Sequence, residues 1–83
     1  MDPALDVPTR VRRLVAEESW AQLPAVKPES RLADDLAMDS LDIVALTLAV
    51  EKEFDLQIPD EDAQRLLTVQ DVVAYVEGRL TAV

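Results

Sequence analysis

The chain has no cysteine, no histidine and a single glycine, Gly78. Without cysteine there is no disulfide framework and no thiol nucleophile. Without histidine, general acid–base chemistry loses its commonest group, and with both residues missing zinc loses its usual ligands. One glycine in 83 residues argues against a sheet-rich fold full of tight turns. Aromatic residues are scarce as well: Trp20, Phe54 and Tyr75 complete the set, so the core must be built from Leu, Val, Ile and Ala. The longest nearly apolar run, "IVALTLAV", falls far short of the ~20 residues that a membrane helix needs. The opening "MDPALDVPTR" starts acidic and lacks the basic-then-apolar layout of a signal peptide. A cytoplasmic protein of one domain, spanning residues 1–83, is expected. Met1 and the short ends favour a free-standing chain over a piece of a larger protein.

Positive charge is also scarce, with 8 Lys and Arg against 17 Asp and Glu and a net charge of −9. The imbalance is local. Residues 1–33 and 63–83 each sum to zero, whereas residues 34–62 hold ten acids and one base, Lys52. Such a segment repels nucleic acid and anionic membranes and attracts a basic patch on another protein.

What is present is helical periodicity. Asp6 can cap a first helix, with Pro8 tolerated in its first turn and Val7, Val11, Leu14 and Val15 forming an apolar stripe. "LPAVKPES" breaks that helix, since Pro24 and Pro28 forbid continuation. Residues 22 to 38 then read as a long loop pinned to the core by Val26, Leu32 and Leu36, and a loop of that length in so small a domain is often functional. Asp39 can cap a second helix that begins at Asp39 or Ser40, with the Asp42 carboxylate at its positive end. Leu41, Val44, Leu46, Leu48, Val50 and Phe54 cover more than one stripe. The helix is therefore either buried on two sides or leaves apolar surface for a partner.

Pro59 stops the chain, and Asp60 is expected to cap a short third helix reaching about Leu66. Thr68 opens the last helix in a capping-box-like pair with Asp71, and Val69, Val72, Val73, Val76 and Leu80 form its stripe. The expected fold is all-α: a small bundle of three longer helices and one short one, with a long loop between the first two.

The acidic run "DEDAQRLLTVQD" resembles a calcium loop only superficially. Gln64 and Arg65 stand where an acid and the turn glycine belong, and Asp71 replaces the bidentate Glu. No metal site is expected.

Ser40 lies between Asp39 and Leu41-Asp42 in "LAMDSLDIVAL". Read by itself it is a helix-capping serine. Its place after a long loop, at a helix N-terminus that favours a phosphate, also suits a residue that another protein modifies with a phosphate-linked group.

The stretch "DDLAMDSLDIVALTLAVEKEFDLQIPDEDAQRLLTVQDVVAYV" closely resembles the acyl carrier proteins of fatty-acid and polyketide synthesis, most specifically from Leu32 to Val76. Asp39-Ser40-Leu41 meets the family signature, and Glu53-Phe54, "IPDED" and "TVQDVV" follow at the family's spacing. The resemblance implies that Ser40 carries a 4′-phosphopantetheine arm, transferred from coenzyme A by a magnesium-dependent phosphopantetheinyl transferase. The arm brings its own thiol, and the transferase its own base and metal, so the chain would be no enzyme. By position, Asp35, Asp39, Leu41, Asp42, Val44, Leu48 and Glu51 would serve partner recognition. The partners implied are acyl-loading, ketosynthase-type or acyltransferase enzymes with basic docking patches, meeting a monomeric carrier. Leu46, Val50, Ile58, Leu66 and Val72 would line a shelter for the acyl chain.

Three positions depart from the family's pattern. Ala37 stands where a glycine is common; Ala45 and Lys52 stand where acids are common, which weakens the acidic helix and leaves a dedicated pathway open as an alternative to primary fatty-acid synthesis. Trp20 is atypical too and reads as a half-buried packing residue. Two alternatives stay open. One is a peptidyl or aminoacyl carrier. The other is an acidic helical interaction module that is never modified.

Overall fold

The computed structural model describes residues 6–81. Helix α1 spans Val7–Ser19, α2 Ser40–Phe54, α3 Asp60–Ala63 and α4 Val69–Thr81. Three longer helices and one short helix form the expected all-α bundle, and α1 packs against both α2 and α4.

Asp6 starts α1, its carboxylate accepting from the Thr9 N–H at 2.9 Å, with Pro8 in the first turn. That bond holds the Asp6 carboxyl below its ordinary pKa. Val11 and Val15 are sealed, joined in the core by Leu46, Val50 and Phe54 from α2 and by Val69, Val72, Val73 and Val76 from α4. Each fully buried aliphatic side chain contributes about 1.5–3 kcal/mol relative to exposure. Arg10 closes the α1–α2 contact: its guanidinium lies 4.5 Å from the Phe54 ring centroid and donates to Glu53 Oε2 at 2.9 Å.

The loop from 22 to 38 is built rather than slack. Leu23–Ala25 makes one 3-10 turn, and Arg12 donates to the Val26 and Leu23 carbonyls at 2.8 and 3.2 Å. Val26 and Leu32 are buried as expected, Leu36 is half-buried, and Met38 joins the core. Farther along, the loop is stitched to the start of α4. Gln70 N donates to Pro28 O, Val69 N to Ser30 O and Leu32 N to Leu67 O, around an isolated antiparallel bridge between Arg31 and Thr68. The Thr68–Asp71 pair caps α4 in both directions, at 3.0 and 3.1 Å.

Three expectations are corrected. Trp20 is not half-buried but 92% exposed. It lies about two and a half turns beyond Val11, on the opposite side of the helix, and ends α1 in the left-handed conformation with φ 63°. Asp60 is not a cap. Pro59 occupies that position, Asp60 is the first helical residue, and α3 stops at Ala63 because Arg65 and Leu66 close tighter i→i+3 bonds onto Asp62 and Ala63. Leu80 shares the face of Val76 but is half exposed, since α4 runs on past its last sealed residue.

Candidate functional site

The head of α2 is fixed by a reciprocal capping box. Asp39 Oδ1 accepts from Asp42 N at 2.9 Å, and Asp42 Oδ2 accepts from Asp39 N at 3.1 Å. An aspartate therefore does what Glu or Gln usually does at the third position. Ser40 is the first helical residue and is exposed. Asp39, not Ser40, does the capping. The Ser40 N–H, like that of Leu41, belongs to the first turn, where no intrahelical acceptor exists and the helix dipole favours an anion. The approach to Ser40 runs through Ala37, whose φ of 55° is the left-handed backbone that a glycine would adopt without strain.

From Ser40 a groove of about 620 Å³ runs between α2 and the segment 58–67. Ser40, Ile43, Val44, Thr47, Leu48 and Glu51 line one wall at the three- and four-residue spacing of a single helix face. Ile58, Asp60, Ala63, Gln64, Leu66 and Leu67 line the other. Volume and lining lie within the range of small-ligand sites.

Of the five residues expected to line an acyl shelter, Ile58 and Leu66 edge this groove, while Leu46, Val50 and Val72 are closed into the core. Ile43, Thr47 and Leu67 were not anticipated. The first two were within reach, since counting helical turns from Ser40 selects them.

Leu41, Val44 and Leu48 form an exposed apolar ridge on α2, at 77%, 55% and 60% exposure. The second helix thus leaves part of its apolar surface uncovered. Asp35 and Asp39 are exposed at the ridge's head. The carboxylates nearby also bond to backbone: Asp35 accepts from Arg31 N at 2.8 Å, and Glu51 accepts from Ile58 N at 2.7 Å. The exposed Arg31–Asp34 pair at 3.4 Å adds at most about 1 kcal/mol. No cluster that could hold a metal ion occurs among the described residues. No helix among them is long and apolar enough to cross a membrane.

The described residues thus form an aliphatic bundle with an exposed serine at a helix N-terminus, beside a largely apolar groove. A sequence model of the family described as "Phosphopantetheine attachment site" matches residues 9–76. The chain is similar to an acyl carrier protein of Bdellovibrio bacteriovorus, 52% identical over 70 residues that cover 84% of this chain and 90% of that one. It is also similar to an acyl carrier protein of Helicobacter hepaticus, 47% identical over 74 residues, 89% of this chain and 97% of that one. The chain belongs to the acyl carrier protein family, whose members bear covalent 4′-phosphopantetheine. It is a carrier rather than an enzyme, working with a phosphopantetheinyl transferase and with biosynthetic enzymes.

Proposed function

We propose that Ser40 is the attachment residue, and that the chain carries acyl intermediates as thioesters on its phosphopantetheine arm between cytoplasmic biosynthetic enzymes. The observation that carries this reading is the division of labour at the head of α2. Asp39 and Asp42 hold the helix start, and Ser40 stands exposed beside them at the mouth of the groove.

In the attachment step the Ser40 Oγ attacks the pantetheine-bearing phosphorus of coenzyme A. An O–P bond forms, the pyrophosphate bond breaks, 3′,5′-ADP leaves, and the hydroxyl proton passes to the transferase. The residues fit the resulting phosphodiester. The first turn of α2 offers N–H groups without intrahelical acceptors, and the neighbouring carboxylates are engaged with backbone. The arm supplies the thiol that the sequence lacks.

Leu41, Val44 and Leu48 would give partners an apolar contact, with Asp35, Asp39, Asp42 and Glu51 attracting the basic patches of loading, ketosynthase-type or acyltransferase enzymes. The cargo would enter the groove past Ile58 and Leu66, with Leu46, Val50 and Val72 as the deeper wall reached when the helices part.

The test is intact mass before and after incubation with coenzyme A, magnesium and a broad-specificity phosphopantetheinyl transferase. Wild type should gain one phosphopantetheine unit and Ser40→Ala none. A gain in both variants would move the site elsewhere. No gain in folded wild type, beside a control carrier modified in the same tube, would count against the reading.

A further inference from the structure

The two walls of the groove are held in different ways. One is a face of the 15-residue helix α2. The other is built around α3, four residues long and without a side-chain cap, too short to keep its place by its own hydrogen bonds. Side chains from α4 hold it. The Tyr75 hydroxyl donates to Asp62 Oδ2 at 2.8 Å. Arg79 Nη1 donates to the Tyr75 oxygen at 2.9 Å and to the Gln57 carbonyl at 2.8 Å, with its guanidinium 5.7 Å from the Tyr75 ring centroid. One connected set of bonds therefore ties α4 both to the approach to α3 and to α3 itself. Neither Tyr75 nor Arg79 lines the groove.

We propose that Tyr75, through its hydrogen bond to Asp62, is a positioning residue that sets how far the α3 wall stands from α2, and so the size of apolar group the groove holds. This rests on the reading of the groove as the place where cargo shelters. The phenolic oxygen accepts from Arg79 while it donates to Asp62, so removing that one atom frees Asp62 from α4, while Arg79 keeps its bond to the Gln57 carbonyl. Ile58 and Leu66 still anchor the segment by burial, at 5% and 8% exposure. The wall then swings on these anchors, and longer chains fit.

The experiment uses the full chain as wild type, Tyr75→Phe, Asp62→Ala and the double variant. Each is loaded in turn with butyryl, octanoyl, dodecanoyl and hexadecanoyl groups and exposed to hydroxylamine, which cleaves a sheltered thioester more slowly. In Tyr75→Phe the best-protected chain should shift to a longer member of the series. Asp62→Ala should give the same shift, and the double variant no more than either single one. An unchanged protection profile in folded Tyr75→Phe would overturn the proposal.

Amide exchange on the unloaded chains gives a second readout that needs no cargo. Exchange should quicken at residues 60–66 in Tyr75→Phe and stay unchanged in α1. Equal exchange at 60–66 would overturn the proposal, and so would acceleration spread through α1 and α2, which would make Tyr75 a general stabilising residue. Absence of any mass gain on wild type during loading would count against the carrier reading instead.

Discussion

Replacing Ala37 by glycine should stabilise the protein. Ala37 sits at φ 55°, where a Cβ costs about 1–2 kcal/mol. Glycine removes that strain but gives the unfolded chain more freedom, worth about 0.4–1 kcal/mol against folding. The alanine methyl is exposed, so no packing is lost. The difference is a net gain of about 0.5–1 kcal/mol, which in a domain of this size raises Tm by about 2–8 °C. Urea unfolding followed by far-UV circular dichroism would read it as a higher midpoint at constant slope. Ala33 supplies the control. It is an exposed alanine of the same loop, and positive φ among the described non-glycine residues is confined to Trp20, Ala37 and Asp55. Ala33→Gly should therefore lose about 0.5–1 kcal/mol. If Ala37→Gly lost as much as Ala33→Gly, the backbone at 37 would not be left-handed and the reasoning would fail.

Asp39→Ala should cost about 1 kcal/mol through loss of the cap, and a variant as stable as wild type in urea would refute the capping assignment. Glu51→Ala should cost about 1–2 kcal/mol by leaving the Ile58 N–H without its acceptor, whereas Glu51→Gln should retain most of that; equal losses would show that the hydrogen bond is not what matters. The Asp6 carboxyl, lowered from 3.8 by its bonds to Thr9, supports α1 above that value and loses its effect as pH falls through the folded pKa. An NMR titration of Asp6 with a midpoint at or above 3.8 would contradict it.

Much of this architecture is legible in the residues themselves. Asp6, Asp39 and the Thr68–Asp71 pair announce three helix starts, because a cap is a local bond between residues three apart. The sealed valines of α1 and α4 follow from period alone. What period cannot supply is where a helix outruns its neighbours, so Leu80 reads as core although it is half exposed. Trp20 misleads because its bulk argues for burial, while its turn carries it to the far side of α1. Asp60 misleads because an acid after proline resembles a cap, and only the backbone shows that Pro59 already fills the position. At the candidate site, Ser40 and its flanking acids are visible in one short motif. The groove is not, since its second wall is brought opposite α2 by Pro59, the turns after Ala63 and the side chains of α4.

The stitching of the loop to α4 makes the approach to Ser40 depend on residues far along the chain. Pro28, Ser30 and Leu32, in the loop that leads to Ser40, bond through their backbone to Gln70, Val69 and Leu67. A chain truncated before residue 67 lacks those partners, and on the reading of Ser40 as the attachment residue it should be a poor substrate for phosphopantetheinylation. The frame of that serine is thus set by contacts across the fold and not by the short motif around it.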